Sequence, residues 1–155
     1  MATEIERKYL IANDGWRDHT DAGIQITQGY MLSNDKSSVR IRVNGDSANL
    51  NIKSKTLGMQ RSEYEYAIPL DDAREMLTAL CDQPYIDKTR FHVPHEGHVW
   101  EIDVFAGENE GLIVAELELD SPDEAFALPD WLGKEVTDDP RYYNICLVTH
   151  PYKNW

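Results

Sequence analysis

Cysteine is scarce in this sequence, and no long apolar run occurs. Of the 155 residues, only Cys81 and Cys146 are cysteines, which is too few for a disulfide framework or a CxxC zinc site. No stretch of eighteen consecutive apolar residues is present, so no membrane-spanning helix is predicted. The first residues are charged and strand-like, so no signal peptide is expected. These absences favour a cytoplasmic protein that does not contact the membrane.

Positive charge is also in short supply. The sequence has 15 Lys and Arg against 28 Asp and Glu, which gives a formal net charge of −13. Such a chain is repelled by nucleic acid and by anionic membranes, so neither is expected as a partner. The phosphate-binding motif GxxxxGK[ST] is missing too, which excludes a P-loop protein. A local basic pocket is still compatible with the total charge.

Strand-like segments make up most of the chain. Hydrophobic residues account for 41% of the sequence, enough for one folded domain over residues 1–155. The turn Asn44-Gly45-Asp46 is a strong hairpin signal between two of the segments. Alternation of polar and apolar residues predicts eight strands, over residues 3–11, 24–32, 38–45, 48–55, 60–70, 86–93, 98–105 and 111–120.

The sequence predicts few helices, all of them between or after the strands. Asp71 is expected to cap a helix over residues 72–81. The dipeptide Ser121-Pro122 predicts a second helix start, and Pro140 a third. Eight hairpin-like strands with few helices predict a mainly β fold with peripheral helices, either an antiparallel barrel or a sandwich.

One face of seven of these strands is charged. In the first strand, Glu4, Glu6 and Lys8 alternate with the apolar Ile5 and Tyr9, and alternate residues of a strand point to opposite faces. Neighbouring like charges destabilise an ordinary solvated sheet. The charged positions comprise eight acids and eight bases, which cancel: Glu4, Glu6, Glu63, Glu65, Glu101, Asp103, Glu116 and Glu118 against Lys8, Arg40, Arg42, Lys53, Lys55, Arg61, Lys88 and Arg90.

Two arrangements can accommodate these charged faces. In a sandwich they would face water, whereas in a closed barrel they would line the lumen. Burying unpaired charges costs several kcal/mol each, but a bound polyanion with divalent cations would satisfy both signs. Carboxylates spaced roughly 6.5–7 Å apart on one strand face can converge on a hard cation such as Mg²⁺, and clustered Arg and Lys suit phosphate oxygens. The barrel therefore predicts a tunnel with a charged lumen.

The sequence resembles the CYTH superfamily, also called triphosphate tunnel metalloenzymes. The stretch "EIERKYLI" matches the ExExK signature that opens the family. Further matches follow in the family's usual order, namely "QGYM", "RIRV", "IKSK", "RSEYEYAI", "DKTR", "EIDVF", "AELEL" and "EVTDDPRYYN". The resemblance covers essentially the whole chain and implies an eight-stranded antiparallel closed barrel. Because the sequence predicts no extra domain, the chain most resembles the short bacterial members of the family. Those members hydrolyse inorganic tripolyphosphate to pyrophosphate and phosphate.

The resemblance also implies roles for individual residues and a cofactor of two Mg²⁺ or Mn²⁺ ions. The implied metal ligands are Glu4, Glu6, Asp103, Glu116 and Glu118. The implied phosphate-binding residues are Lys8, Arg40, Arg42, Lys53, Arg61, Lys88 and Arg90. The implied catalytic residues are Lys88, Arg90, Glu63, Glu65 and Tyr30. Of these, Glu63 and Glu65, with Asp103, would hold a second metal or orient water, and Tyr30 would hydrogen-bond the terminal phosphate. Lys55 and Glu101 have the same strand parity but match the family pattern less closely. Their assignment stays open between the phosphate-binding set and the rim of the tunnel.

Some functional alternatives stay open at this stage. The substrate is expected to be a small-molecule triphosphate. Inorganic tripolyphosphate is the preferred candidate, and other triphosphates are further candidates. Within the same family, a class IV-type adenylate cyclase is the alternative, although the sequence contains no clear adenine pocket. From a different class, a non-catalytic polyphosphate- or nucleotide-binding module would need the bases but not eight acids. A homodimer is compatible with a short barrel that has apolar outer patches.

Overall fold

The computed structural model describes residues 2–55 and 58–155. Eight strands form a closed antiparallel barrel, in the order β1-β5-β4-β3-β2-β6-β7-β8 and back to β1. This confirms the predicted barrel and rules out the sandwich. The strands are β1 (Ala2–Ile11), β2 (Ile24–Ser33), β3 (Ser37–Asn44), β4 (Ser47–Ser54), β5 (Gln60–Ile68), β6 (Ile86–His95), β7 (His98–Phe105) and β8 (Ile113–Glu118).

A ninth strand, β9 (Leu132–Glu135), was not predicted from the sequence. It pairs with Tyr9 and Ile11 near the end of β1, beyond the residues of β1 that pair with β5. Gly133 is required there, because a Cβ atom at this position would lie 2.9 Å from the carbonyl oxygen of Leu10. The strand therefore extends the edge of β1 that β5 leaves unpaired.

The helices are short and lie between or after the strands in the chain. They are α1 (Leu70–Ala79), α2 (Asn144–Thr149) and 3₁₀ turns at Asp14–His19, Gly107–Asn109, Pro140–Tyr142 and Tyr152–Asn154. The predicted helix over 72–81 is present but begins two residues earlier. Its N-cap is Pro69 and not Asp71, and no side chain caps it. Within the described residues, no helix is long and apolar enough to cross a bilayer.

The helix predicted to begin at Ser121-Pro122 is wrong. That segment forms a turn followed by extended chain. The Glu124 carboxylate accepts a hydrogen bond of 2.7 Å from the Asp120 backbone amide and lies 2.7 Å from His98. The extended chain then places Phe126 against Trp100, with ring centroids 5.9 Å apart. Tertiary packing on the barrel thus outweighs the local helix signal.

Apolar residues pack on the outside of the barrel, as the alternation predicts. Trp100 is fully buried between Tyr9, Phe126 and Trp131 on the outer face. A separate cluster lies beneath α1 and includes Ile41, Ala48, Ala73 and Leu77. Because these contacts satisfy the outer face, the charged face of each strand is directed inward.

One end of the barrel interior is apolar. Ile86, Phe105 and Val114 point to the same side of their strands as the lumen charges, since each lies two residues from Lys88, Asp103 or Glu116. They pack in one cluster with Leu147 and Val148 of α2. The C-terminal helix therefore fills this end of the barrel and confines the charged cavity to the remainder of the lumen.

Candidate active site

The lumen contains a cavity of about 200 Å³. All the residues that the sequence assigned to the site line it, with the exception of Asp103, and Glu101 lines it as well. Lys55 does not line it. The assigned lining residues are Glu4, Glu6, Lys8, Tyr30, Arg40, Arg42, Lys53, Arg61, Glu63, Glu65, Lys88, Arg90, Glu116 and Glu118. The sequence analysis missed five other lining residues, Ser38, Asn51, Tyr143, Asn144 and Ile145.

Most of the bases in the cavity are paired with carboxylates. Antiparallel register places opposite charges directly across from each other, as with Lys8 and Glu116 or Lys53 and Glu63. Such pairs compensate the cost of burying each charge. The contacts are Lys53 Nζ to Glu4 Oε2 at 2.7 Å, Lys8 Nζ to Glu116 Oε1 at 3.1 Å, Arg61 Nη2 to Glu6 Oε1 at 3.5 Å and Lys53 Nζ to Glu63 Oε2 at 3.6 Å.

Asp103 lies behind two of these bases. Its carboxylate accepts hydrogen bonds from Lys88 Nζ at 2.7 Å and from Arg90 Nε and Nη2 at 2.7 and 2.9 Å. The side chain is fully buried. Burial opposes its ionisation, but Arg90 and Lys88 outweigh burial and lower the pKa of Asp103. Both oxygens are thus occupied by cations, and the role of Asp103 as a metal ligand stays a prediction.

Carboxylates crowd together where β1 meets β8. Glu6 and Glu118 are cross-strand partners. Burial, with the charges of Glu116 and Glu4, raises the pKa of Glu6 to about 8. Burial and the charge of Glu4 also raise the pKa of Glu118. Concentrated negative charge of this kind disfavours ionisation unless a cation is nearby.

This glutamate cluster suits a hard divalent cation, because carboxylate oxygens are the ligands that Mg²⁺ and Mn²⁺ prefer. Glu4 Oε2 is buried and accepts no hydrogen bond of good geometry from the described residues, although Lys53 Nζ lies 2.7 Å away. Among residues 2–55 and 58–155, no three acidic, His or Cys side chains form a ready-made metal cage. Mg²⁺ usually takes one or two carboxylates together with waters and substrate phosphate oxygens. The cluster therefore fits an ion shared with a phosphate ligand.

Lys88 is a completely buried base at the apolar end of the cavity. Its ammonium group donates to Asp103 and, at 3.1 Å, to Asn144 Oδ1. Burial, helped by the neighbouring Arg90 and Arg42, lowers the pKa of Lys88 to about 7 despite the attraction of Asp103. A bound polyanion would favour the charged form of this lysine.

The segment from Tyr142 to Asn144, just before and at the start of α2, contacts three of the cavity bases. The Tyr142 carbonyl oxygen accepts a 3.3 Å hydrogen bond from Lys8 Nζ. The Tyr143 ring lies 5.7 Å from Lys8 Nζ and 5.1 Å from the Arg61 guanidinium carbon. The sequence identifies "RYYN" only as the end of the last family-like stretch, "EVTDDPRYYN", and does not predict these contacts with the bases.

The fold and the cavity together define a structural class of protein. The protein is a closed antiparallel β-barrel whose lumen presents buried bases and a glutamate cluster to one small cavity. The chain belongs to the CYTH domain family, which matches residues 2–143. This confirms the family resemblance found in the sequence.

Individual relatives agree with this assignment. An inorganic triphosphatase of Acetivibrio thermocellus is 45% identical over 155 residues, which cover 100% of this chain and 99% of the relative. An inorganic triphosphatase of Nitrosomonas europaea is 37% identical over 151 residues, covering 94% and 97% of the two chains. A crystal structure of an inorganic triphosphatase superposes with a TM-score of 0.68 at 34% identity, covering 96% of this chain and 95% of the other.

Proposed function

We propose that this protein is an inorganic triphosphatase, which hydrolyses inorganic tripolyphosphate to pyrophosphate and phosphate with the help of a divalent metal. The observation that carries the proposal is the cavity itself, where buried bases suited to phosphate share one enclosed space with a glutamate cluster suited to a hard cation. The named relatives, similar over nearly their full length, support the same activity.

The dimensions of the cavity favour a compact linear substrate. Its volume of about 200 Å³ is below the roughly 300–1,000 Å³ typical of drug-sized ligand sites. The lining is almost entirely charged or amide, with two tyrosines, Tyr30 and Tyr143, as its aromatic side chains. A bare triphosphate chain fits this lining better than a nucleotide, whose base needs an apolar or aromatic surface to pack against. Adenylate cyclisation is therefore the weaker alternative.

Binding would exchange internal ion pairs for phosphate contacts. Lys8, Lys53 and Arg61 hold glutamates in the free protein, and phosphate oxygens can take over these contacts. The released carboxylates of Glu4, Glu6 and Glu116, with Glu118 beside them, would hold one or two Mg²⁺ or Mn²⁺ ions. When bound, such ions neutralise phosphate charge and make a water molecule more acidic.

Phosphoryl transfer depends mainly on positioning and on stabilising charge. Lys88 and Arg90 would stabilise the charge that develops on the reacting phosphoryl group. Glu63 and Glu65 would orient the attacking water, and Tyr30 would donate a hydrogen bond to the terminal phosphate. The water oxygen forms a bond to the terminal phosphorus, the phosphoanhydride bond breaks, and pyrophosphate leaves.

Asp103 is proposed to position Lys88 and Arg90, since its two oxygens already accept three hydrogen bonds from them. The Asp103→Asn variant separates this role from metal binding. Loss of a metal ligand would be offset by excess Mg²⁺, whereas loss of a positioning residue would lower kcat at every Mg²⁺ concentration. Recovery of full activity at high Mg²⁺ would instead identify Asp103 as a metal ligand.

A substrate panel tests the proposed reaction. Tripolyphosphate, ATP and thiamine triphosphate are incubated with the protein and Mg²⁺ or Mn²⁺, and phosphate, pyrophosphate and cyclic AMP are measured. We expect the highest kcat/KM for tripolyphosphate. Cyclic AMP formation would instead identify a cyclase, and tight tripolyphosphate binding by calorimetry without phosphate release would identify a binding module.

Several broader expectations also remain proposals. We propose a single domain over residues 1–155, a cytoplasmic location in keeping with the unpaired Cys81 and Cys146, a homodimeric assembly and no nucleic-acid partner. Gel filtration with light scattering tests the dimer, and a retarded band with labelled nucleic acid at physiological salt would contradict the last of these expectations.

A further inference from the structure

Two arginines in the cavity differ from its other bases. Within the described part of the chain, neither Arg40 nor Arg42 has a carboxylate within ion-pairing distance, whereas Lys8, Lys53, Arg61, Lys88 and Arg90 each have one. Arg40 is 7% exposed, and its buried Nε has no hydrogen-bond partner among the described residues. Buried cations in this state are costly for the free protein and available to an anion.

The partner that Arg42 does have is a neutral amide. Gln28 on β2 is the cross-strand neighbour of Arg42 on β3 and is completely buried. Gln28 Oε1 accepts a 2.9 Å hydrogen bond from Arg42 Nε. A guanidinium group can only donate, so the amide oxygen must face the arginine and the amide nitrogen must face away from it.

The other end of the same amide contacts Tyr30. Gln28 Nε2 donates to the Tyr30 hydroxyl at 3.3 Å, and Tyr30 lines the cavity beside Arg42. A phenolic hydroxyl that accepts a hydrogen bond keeps its own hydrogen for another acceptor. The Gln28 amide thus prepares two cavity groups for a phosphate oxygen. It leaves the positive charge of Arg42 uncompensated, and it leaves the Tyr30 hydroxyl free to donate a hydrogen bond.

We propose that Gln28 is a positioning residue that keeps Arg42 charged but uncompensated and keeps the Tyr30 hydroxyl available as a donor to the substrate phosphate. The inference rests on the proposed function, because it takes the ligand to be a polyphosphate. A glutamate at this position would be the same size and would accept from both Arg42 and Tyr30. It would fit the fold while neutralising the arginine and turning the phenolic hydrogen away from the cavity.

The Gln28→Glu variant therefore separates substrate binding from folding. We expect the dissociation constant for tripolyphosphate to rise roughly tenfold or more by calorimetry, as loss of a close charge contact does elsewhere, both without metal and with Mg²⁺. KM should rise by a similar factor, with a smaller change in kcat. Tm should be unchanged or higher, since the new carboxylate compensates buried positive charge. A residue with a merely structural role would not weaken binding while preserving Tm.

Two further variants control the experiment. Gln25→Glu adds the same charge to the exposed outer side of the same strand and should leave affinity and Tm unchanged. Gln28→Met keeps the length but removes both hydrogen bonds, so both affinity and Tm should fall. Unchanged affinity and KM in Gln28→Glu would overturn the inference. Failure of the proposed function itself is distinguishable, because the unaltered protein would then release no phosphate from tripolyphosphate.

Discussion

At the scale of single residues, opposite charges and burial together determine the properties of the site. Lys8 and Glu116 satisfy each other in the free protein at 3.1 Å, whereas burial, together with the charges of Glu116 and Glu4, raises the pKa of Glu6 to about 8. The sites of unfavourable charge are thus the ones where a cation or an anion has most to contribute. Glu6 and Arg42 mark these two kinds of site.

Replacement of Glu6 tests the metal assignment. Glu6→Gln keeps the shape but removes the charge, so Mg²⁺-dependent hydrolysis of tripolyphosphate should fall at least about 100-fold in kcat/KM, because a bound ion contributes several kcal/mol to such reactions. Glu75→Gln, on the exposed side of α1, should have no effect. Equal turnover by Glu6→Gln and the unaltered protein would refute the assignment of Glu6 as a ligand.

The raised pKa of Glu6 also predicts how stability depends on pH. The folded protein holds this proton up to about pH 8, whereas the unfolded chain loses it near 4.5. The contribution of Glu6 to stability is therefore complete below about pH 4.5 and is lost as pH rises through about 8. In chelating buffer between about pH 5 and 9, the Tm of the unaltered protein should fall relative to that of Glu6→Gln. Added Mg²⁺ should reduce the gap, and parallel curves would contradict the prediction.

At the scale of secondary-structure elements, α2 determines the shape of the cavity. Leu147 is fully buried against the apolar inner-face residues Ile86, Phe105 and Val114. The helix itself has six residues, too few to be stable alone, so packing on the barrel must hold it in place. Asn144, at its start, contacts Lys88, and the same packing therefore positions a proposed catalytic residue.

Truncation of Leu147 tests this dependence. Leu147→Ala should lower the free energy of unfolding by about 2–5 kcal/mol through loss of buried area and the cavity left behind. It should also lower kcat, because Asn144 would no longer be held against Lys88. Leu128→Ala removes the same atoms from a side chain that is 64% exposed and should change both quantities little. Equal denaturation midpoints for the two variants would show that α2 is not part of the cooperative fold.

The elements also show how far the sequence can predict this structure. Alternation located both ends of all eight barrel strands to within two residues, because a two-sided strand must repeat every second position. The four-residue β9 escaped prediction, since it depends on the unpaired edge of β1 and not on its own pattern. The helix expected at Ser121-Pro122 failed because Glu124 and Phe126 have better partners on the barrel.

Parity predicted the charged side chains that line the cavity, with Lys55 as a predicted residue that does not line it, but it did not predict what each one contacts there. Asp103 points to the same side of its strand as the glutamates point on theirs, yet it does not line the cavity. Its cross-strand partner Arg90 and the nearby Lys88 bind its carboxylate behind the cavity wall. Gln28 opens the family-like stretch "QGYM", but the resemblance gave a role only to Tyr30 in that stretch. The contacts of Gln28 depend on the register between β2 and β3, which a single sequence does not define.

At the scale of the whole molecule, charge is distributed unequally between inside and outside. The chain carries a formal net charge of −13, whereas the lining of the cavity balances seven glutamates with seven bases. A polyanionic substrate thus approaches a negative surface before it meets the buried bases. The barrel separates these two environments, and the cavity of about 200 Å³ favours a compact ligand.

The most direct test of this account is the stoichiometry of products from tripolyphosphate. Phosphate and pyrophosphate are measured together for the unaltered protein, with Mg²⁺ and with a chelator. We expect one phosphate for each pyrophosphate, formed only when the metal is present, and little release from an equal concentration of ATP. Equal rates in chelator, or no phosphate release from tripolyphosphate in Mg²⁺ or Mn²⁺, would contradict this expectation.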